Sequence, residues 1–223
     1  MAVTLYGFWR SLAAFRVRAA LNYKGVAFEE KIIDLAKGDQ FSASYHELNP
    51  QHVIPLLDHD GKHITQSLAI LEYINQIWPN NPLLPQDPYQ QAYVRSISQI
   101  TIADTHPLVV PRVRNYLGKT FGQDENSQTA WAQHWLNLGS QAIEERLVNE
   151  KLFGKFSLGD QITFADLALA SHVVGARIFK ADLTQAPTLI AIVDQVLAIE
   201  SIGKAHPLKQ PGAPQLSYSS SNS

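Results

Sequence analysis

The sequence predicts two domains of different class, an α/β domain followed by an all-helical domain. Short runs of β-branched and aromatic residues alternate with helical patterns up to residue 77. Residues 78–88 are rich in proline and asparagine, as is typical of a linker. Beyond this linker, the long apolar patterns all have helical spacing. We therefore expect domains at residues 1–82 and 83–216, followed by a disordered, Ser-rich tail at residues 217–223.

The N-terminal domain is predicted to have the element order β-α-β-α-β-β-α. Residues 3–8 form a strand of β-branched and aromatic residues, and residues 12–21 form a helix that closes at Gly25. Charged and apolar residues alternate over residues 26–33, which indicates a second strand. A short helix is expected at residues 41–48. This order is that of a thioredoxin-like domain.

The loop after this short helix contains an Ile54-Pro55 bond at the start of an apolar strand. Proline cannot donate to a sheet ladder and is tolerated mainly at the first residue, an edge or a bulge of a strand. We therefore expect this bond to be cis, as a minority of such bonds are in folded proteins. The loop, which also contains Gln51, His52 and Val53, is predicted to leave backbone groups free to pair with an extended peptide.

Two further local signals follow this loop. Asp60-Gly61 lies between two short apolar runs, which predicts a β-hairpin. Gln66 and Ser67 then open an apolar pattern with helical spacing, so a helix is expected to begin at Ser67 or a neighbouring residue. A helix start offers free N–H groups and a partial positive charge, which suit a carboxylate. The loop and the helix start together predict a site for an acidic peptide.

The composition excludes several classes of function. The chain has 223 residues, a net charge of −2 and no cysteine. Since it has no basic excess, we expect neither a nucleic-acid partner nor a membrane partner. Without cysteine there is no disulfide, thiolate metal site or protein thiol nucleophile, so any sulfur chemistry must come from a bound small molecule.

Localisation and metal binding are predicted from local patterns. The N-terminus lacks a basic segment followed by a long apolar one, and no apolar run approaches the ~20 residues that span a bilayer. We therefore expect a cytoplasmic protein. His59 and His63 lie on the predicted hairpin beside two aspartates. A solvated turn is the expected setting for them, and no metal site is predicted.

The C-terminal domain is predicted to be entirely helical. Apolar patterns indicate helices at residues 89–104, 108–116, 131–147, 164–177 and 189–199. The fourth of these is the most apolar and is expected to be the buried central helix. At its start, Thr163 and Asp166 have the spacing of a capping box, with Asp in place of Glu.

Several segments carry a resemblance to a known family. They are residues 9–11 (Trp-Arg-Ser), 15–18 (Phe-Arg-Val-Arg), 66–73 (Gln-Ser-Leu-Ala-Ile-Leu-Glu-Tyr), 83–88 (Leu-Leu-Pro-Gln-Asp-Pro) and 179–184 (Phe-Lys-Ala-Asp-Leu-Thr). With them the chain resembles the zeta class of the glutathione S-transferases, to about residue 216. The resemblance implies a thioredoxin-like domain followed by the all-helical glutathione transferase domain, glutathione as cofactor, and a homodimer. It also implies isomerisation of a maleyl keto acid, maleylacetoacetate or maleylpyruvate, in the catabolism of aromatic compounds and amino acids.

The resemblance also assigns site residues. Ser11 matches the serine to which the family gives the thiolate-stabilising role, and glutathione binding is assigned to Ser11, to residues 51–55, and to Gln66 and Ser67. The zeta signature continues with a second serine and a cysteine, whereas this chain has Leu12 and Ala13 at those substrate-side positions.

Energetics indicate that Ser11 alone is sufficient for thiolate formation. A free thiol has a pKa of about 8.5, and lowering that pKa by two units requires about 2.7 kcal/mol. One hydrogen bond to a charged group supplies about 1.5–3 kcal/mol, and a helix N-terminus adds about 0.3–1 kcal/mol. Ser11 at the head of its helix is therefore expected to stabilise the glutathione thiolate without the second serine and the cysteine.

Three arginines and a histidine are predicted to bind carboxylates of the substrate or of glutathione. Arg10 is the first candidate for a substrate carboxylate, with an exposed surface charge as the alternative. Arg112, a further substrate candidate, lies with Arg114 on a helix that His106 and a proline open, a segment that maleylpyruvate isomerases resemble in having a His-Pro followed by arginines. The role of His106 has two alternatives. It is expected to reach glutathione or the substrate, or else to cap its helix. Arg177 is a further substrate candidate, although it lies one residue before the position of the family's arginine, about 100° away around a helix.

Two other functions remain open at this point. The same thiolate would conjugate or dehalogenate small electrophiles such as α-haloacids. Alternatively, the chain would be a non-catalytic glutathione-fold module that binds apolar ligands or partner proteins. Leu12 and Ala13 favour this last function slightly, whereas Ser11 and Gln66-Ser67 argue against it.

Overall fold

The N-terminal part of the chain folds as a four-stranded sheet with helices packed on it. In the computed structural model, which describes residues 2–214, the strand order is β2-β1-β3-β4. The strands are β1 (Val3–Gly7), β2 (Glu29–Ile32), β3 (Leu56–His59) and β4 (Lys62–Thr65). β1 pairs parallel with β2 and antiparallel with β3, and β3 pairs antiparallel with β4. The helices of this part are α1 (Leu12–Tyr23), a 3₁₀ turn (Asp39–Phe41), α2 (Ala43–Leu48) and α3 (Ser67–Ile77). This order confirms the predicted thioredoxin-like topology.

The rest of the described chain is helical. Its elements are α4 (Pro88–Gln99), a π-helical segment (Ile100–Thr105), α5 (His106–Val109), α6 (Pro111–Phe121), α7 (Glu125–Glu150), α8 (Phe164–Phe179), α9 (Pro187–Ala198), α10 (Glu200–Gly203) and a 3₁₀ turn (Pro207–Lys209). Within residues 2–214, no helix is both long enough and apolar enough to cross a membrane. The predicted tail at residues 217–223 lies outside the described residues. The domain boundary at residue 82 stays a prediction.

Three local predictions in the N-terminal part are confirmed. The Ile54-Pro55 bond is cis. Asp60 and Gly61 have φ values of 51° and 80°, the left-handed pair that a type I′ hairpin turn requires. Gly25, at φ 68°, follows α1 at the predicted position.

Three predicted elements were wrong in their extent. The helix predicted at residues 131–147 is longer and covers Glu125–Glu150. The second strand covers only Glu29–Ile32 instead of residues 26–33. The helix predicted at residues 108–116 is two helices, α5 and α6, because Val110 precedes a proline and adopts an extended conformation with ψ 155°.

Helix α8 is the buried central helix, as predicted. Its residues from Phe164 to Ala176 are all buried, and it packs against α1, α4, α7 and α9. The predicted capping box is present at its start. The carboxylate of Asp166 accepts hydrogen bonds from the N–H of Thr163 at 2.7 Å, the hydroxyl of Thr163 at 3.0 Å and the N–H of Ser157 at 2.7 Å. Since α8 contacts α1, the central helix fixes the position of the helix that Ser11 begins.

Candidate functional site

Ser11 lies at the start of α1 with its hydroxyl partly exposed. It is the N-cap residue, and its Oγ atom accepts a hydrogen bond from the N–H of Ala14 at 3.1 Å. A hydroxyl can accept and donate at once, so the proton of Ser11 remains available to a ligand. Arg10 is exposed beside it. Ser11 therefore presents a hydrogen-bond donor at the positive end of a helix, a suitable place for a thiolate.

Leu12 and Ala13, which replace the second serine and the cysteine of the zeta signature, are buried. A Cβ atom built on Gly175 would lie 2.6 Å from Cδ1 of Leu12, so the leucine side chain packs closely against α8. Leu12 therefore packs α1 against α8, a helix of the C-terminal part of the chain. Contact of Leu12 and Ala13 with substrate stays a prediction.

In the loop at residues 51–55, some backbone groups have hydrogen-bond partners in the protein and others do not. The carbonyl oxygen of Val53 accepts hydrogen bonds from the hydroxyl of Tyr45 and from Nδ2 of Asn49, each at 2.7 Å. Among the described residues, no hydrogen bond uses the N–H or the C=O of Ile54. Ile54 therefore has one backbone donor and one backbone acceptor without partners, and their pairing with an extended peptide stays a prediction.

The side chains of Gln51 and His52 support the loop. Nδ1 of His52 lies 2.7 Å from the carbonyl oxygen of Gln40, and its ring stacks on His46 at a centroid distance of 4.9 Å. Oε1 of Gln51 accepts a hydrogen bond from Nε2 of Gln66 at 2.9 Å. These contacts tie the loop to its neighbours and to the start of α3.

The start of α3 lacks internal partners for its first N–H groups. Gln66 is the N-cap residue, has φ 68° and makes no capping hydrogen bond with its side chain. No hydrogen bond within the described chain uses the N–H groups of Ser67, Leu68 and Ala69. Ser67 is the first residue of the helix and not its cap, and its Oγ atom accepts a hydrogen bond from Nη1 of Arg16 at 2.8 Å. A positive φ at a residue other than glycine is costly, and such strain concentrates at functional sites.

His106 follows the π-helical segment and begins α5. Thr105 is the N-cap residue of α5, so the alternative in which His106 caps this helix does not apply. Burial lowers the pKa of His106 well below its usual value, and the positive charges of Arg16 and Arg112 lower it further. The imidazole is therefore neutral at neutral pH, with one nitrogen that donates and one that accepts. π-helical segments are rare and frequently mark functional sites.

Two arginines of α6 reach the same region. Arg112 is exposed and acts on His106 through its charge. Arg114 is partly buried, donates from Nε to the carbonyl oxygen of Val109 at 3.1 Å, and lies with its guanidinium 5.0 Å from the ring centre of Phe179. Burial, followed by the charge of Arg10, lowers the pKa of Arg114. Arg114 thus lies near enough to Arg10, at the start of α1, for the two charges to interact, whereas Arg112 acts on His106. Arg114 was named with Arg112 as part of the His-Pro segment, but only Arg112 was predicted to bind substrate.

Arg177 lies elsewhere. Its Nη2 donates to Oδ1 of Asp194 on α9 at 2.8 Å, in an exposed ion pair. No hydrogen bond or ion pair in residues 2–214 joins Arg177 to Ser11, Ser67 or His106. Arg16, a buried arginine that contacts Ser67, was not predicted as a site residue.

The histidines and acidic side chains of residues 2–214 form no metal centre. Within the described residues, no group of three or more histidine and acidic side chains is arranged to hold a metal ion. His63 lies 3.7 Å from the carboxylate of Asp58, and His59 lies 3.8 Å from that of Asp60.

Comparisons with known proteins agree with this geometry. Residues 1–76 match the family model described as glutathione S-transferase, N-terminal domain, and residues 111–204 match that of the glutathione S-transferase C-terminal domain. The chain is 40% identical over 211 residues to maleylacetoacetate isomerase from Dictyostelium discoideum, covering 94% of this chain and 95% of that protein.

Two solved structures are also similar. The crystal structure of maleylacetoacetate isomerase from Methylobacterium extorquens AM1, with bound malonate and glutathione, has a TM-score of 0.93 and 45% identity. It covers 95% of this chain and 100% of that one. A holo structure of maleylpyruvate isomerase, described as a bacterial glutathione S-transferase of the zeta class, has a TM-score of 0.92 and 36% identity, with coverage of 95% and 100%.

Proposed function

This chain belongs to the zeta class of the glutathione S-transferase family, and on that premise we propose that it is a glutathione-dependent cis–trans isomerase of a maleyl keto acid, maleylacetoacetate or maleylpyruvate. The observation that carries the proposal is the hydroxyl of Ser11, whose oxygen accepts a hydrogen bond from the N–H of Ala14 while its proton stays available to a ligand at a helix start, beside the exposed Arg10. Relatives of both substrate types, aligned over nearly their whole length, support it.

The residues present fit glutathione. Glutathione is an extended tripeptide analogue with a carboxylate at each end. The unpartnered N–H and C=O groups of Ile54 suit its central peptide, and the unpartnered N–H groups at the start of α3 suit the γ-glutamyl carboxylate. We assign Gln51, Gln66 and Ser67 to that end. His106, held neutral, is assigned to the glycine carboxylate.

Ser11 would stabilise the sulfur in its anionic form. Its hydroxyl donates toward the sulfur, and the partial positive charge of α1 acts in the same direction. Together these effects supply about 2–4 kcal/mol, which lowers the pKa of a thiol by roughly two units, from about 8.5 to below neutrality.

The chemistry requires anion binding beside the sulfur. When bound, glutathione supplies a thiolate that adds to the cis double bond, permits rotation about the resulting single bond, and leaves to give the trans product. Arg10 and Arg114 would hold a carboxylate of the keto acid and stabilise the negative charge that develops on its keto oxygen. Arg112 is assigned to the second carboxylate. Arg177 is not given a role in this proposal because its guanidinium pairs with Asp194.

A second candidate function uses the same thiolate. Transfer of glutathione to a small electrophile, such as an α-haloacid, needs Ser11 and one carboxylate-binding arginine only. It does not need the second serine and the cysteine of the zeta signature, which Leu12 and Ala13 replace in this chain. A binding module without turnover is the weakest candidate, because the hydroxyl of Ser11 is retained with its proton free.

Product analysis distinguishes these functions. The protein is incubated with maleylpyruvate or maleylacetoacetate and a substoichiometric amount of glutathione, and the vinyl protons and glutathione are followed by NMR. An isomerase gives complete conversion to the trans keto acid with all the glutathione recovered. Conversion that stops when the glutathione has become a stable thioether would identify a transferase instead.

We also propose a homodimer in the cytoplasm. Large apolar side chains such as Phe41, Ile77, Tyr89 and Leu138 are exposed on the single chain, which is consistent with a subunit interface. The cytosol maintains glutathione in the reduced form that the reaction needs. Light scattering after size-exclusion chromatography measures the number of subunits, and fractionation of cells measures the location.

A further inference from the structure

Arg16 is a buried arginine that connects three helices. Its side chain extends from α1 and is 1% exposed. Nε donates to Oγ of Ser171 on α8 at 2.7 Å, and Nη1 donates to Oγ of Ser67 on α3 at 2.8 Å. Nη2 is buried and has no hydrogen-bond partner among the described residues. The guanidinium therefore lies next to the start of α3, and the N–H groups of its Nη2 make no hydrogen bond with the described residues.

The positive charge of Arg16 has no counter-ion in the described part of the chain. Each ion pair found in residues 2–214 involves other residues. Arg18, two positions further along the same helix, is also buried but has a counter-ion. Its Nε and Nη2 donate to the two carboxylate oxygens of Glu30, and its Nη1 donates to the carbonyl oxygen of Ala205. Burial lowers the pKa of Arg16 only to about 9, so it is still a cation at neutral pH. A buried cation without a partner is costly, which predicts that an anion binds near it.

The hydrogen-bond directions indicate where that anion binds. Arginine can only donate, so the oxygens of Ser67 and Ser171 must both accept from Arg16. The proton of Ser171 is already used, because its hydroxyl donates to the carbonyl oxygen of Ala168 at 2.7 Å. The proton of Ser67 is not used in this way and is available to a ligand, next to the unpartnered N–H groups of α3.

We propose that Arg16 is a positioning residue for glutathione: it orients the hydroxyl of Ser67 to donate to the γ-glutamyl carboxylate, and that carboxylate is the counter-ion that Arg16 lacks. The inference rests on the proposed function, since it requires glutathione at the start of α3. A donor that is itself hydrogen-bonded by a cation is polarised, so the Ser67 proton binds a carboxylate more strongly than an isolated hydroxyl does.

The test compares two ligands on matched variants by calorimetry. The ligands are glutathione and 4-aminobutyryl-Cys-Gly, which lacks only the γ-glutamyl carboxylate. The variants are Arg16→Gln and, as the matched control, Arg18→Gln, which also removes a buried arginine of α1. Wild type is expected to bind glutathione about 10- to 100-fold more tightly than the analogue, as hydrogen bonds to a charged group predict. In Arg16→Gln this preference should fall to about threefold or less, with the loss confined to glutathione. Arg18→Gln should lower the unfolding temperature and keep the preference.

Other outcomes overturn the inference. An unchanged preference in Arg16→Gln, or equal weakening of both ligands, would make Arg16 a purely structural residue. Should Arg16→Gln fail to fold, Arg16→Lys is measured in its place. Its single ammonium cannot hold both serines in the same geometry, so the preference must again decrease, and an unchanged preference contradicts the inference. Equal binding of the two ligands by wild type overturns the inference alone, whereas binding of neither overturns the proposed function as well.

Discussion

The hydroxyl oxygen of Ser11 accepts a hydrogen bond from the N–H of Ala14, and this bond directs the hydroxyl proton away from α1. The same serine therefore caps its helix and keeps a donor for a ligand. These two roles have different consequences when the serine is replaced.

Replacement of Ser11 by alanine is expected to raise the pKa of bound glutathione. The loss of one hydrogen bond to the sulfur should raise the thiol pKa by about 1–2 units and lower kcat/KM at neutral pH by about 10- to 100-fold. Ultraviolet absorbance of the thiolate, titrated against pH, measures the first effect. Ser42→Ala is the matched control, because Ser42 caps α2 in the same way, with its Oγ 3.3 Å from the N–H of Tyr45. If Ser11→Ala lost only as much stability and activity as Ser42→Ala, Ser11 would be a cap and nothing more.

Replacement of Arg10 by glutamine is expected to weaken substrate binding without changing the thiolate. KM for the keto acid should rise about tenfold or more, because a charge-assisted hydrogen bond to a carboxylate is lost. The thiol pKa of bound glutathione should stay the same. Steady-state kinetics and the thiolate titration check the two statements separately, and a shifted thiol pKa would argue that Arg10 acts on sulfur.

Replacement of Arg177 by glutamine is expected to have little effect on turnover. Its ion pair with Asp194 is exposed, and such pairs contribute little. Arg146→Gln, which removes the half-buried ion-pair partner of Glu150, is the control. We expect less than about threefold change in kcat/KM for both variants. A tenfold loss for Arg177→Gln alone would restore its predicted role at the substrate.

The burial of His172 predicts how stability depends on pH. Burial lowers its pKa from about 6.5 to about 4, and its Nε2 lies 2.9 Å from Oγ of Ser140. Because the folded state keeps this imidazole neutral while the unfolded chain takes up a proton, stability is full above pH 6.5 and is lost as the pH falls toward about 4. Over that window the loss attributable to this one group amounts to about 3 kcal/mol.

Chemical denaturation between those two pH values tests this prediction. The slope of unfolding free energy against pH should be shallower in His172→Asn than in wild type, because the variant takes up as much as one proton fewer on unfolding. His46→Gln, at an exposed position, controls for the removal of a histidine as such. An identical slope in wild type and His172→Asn would contradict the prediction.

Loss of the buried capping box should lower the free energy of unfolding more than loss of an exposed N-cap does. Asp166→Ala leaves the N–H groups of Thr163 and Ser157 without partners in the core and should cost about 2–4 kcal/mol of unfolding free energy. Asp124→Ala removes the exposed N-cap of α7, which accepts from Ser127 at 2.8 Å, and should cost about 1 kcal/mol. Urea unfolding compares them, and equal costs would mean that burial adds nothing at Asp166.

The features that were predicted correctly depend on residues close in sequence. The Ile54-Pro55 bond, the Asp60-Gly61 turn and the box formed by Thr163 and Asp166 each arise from a few adjacent side chains. Local steric and hydrogen-bonding preferences determine them, and a single sequence contains that information.

The features that were missed depend on partners far apart in sequence. Arg16 and Arg18 have the same residue type on the same helix, yet only Arg18 meets an acidic partner, while Arg16 contacts serines 51 and 155 residues away. Nothing local distinguishes them. The π-helical segment Ile100–Thr105 changes which side of the helix His106 faces, and it has no marker in the composition. The substrate role predicted for Arg177 came from the resemblance, one residue away from the family's arginine, and its pairing with Asp194 is likewise non-local.

The most direct test of the central claim is the initial rate at which absorbance is lost from maleylpyruvate and maleylacetoacetate, with and without catalytic glutathione. Wild type is expected to turn over at least one of them rapidly and only with glutathione, and Ser11→Ala about 10- to 100-fold more slowly. Turnover that does not need glutathione, or no turnover of either substrate by protein that binds glutathione, would contradict the assignment as a glutathione-dependent isomerase.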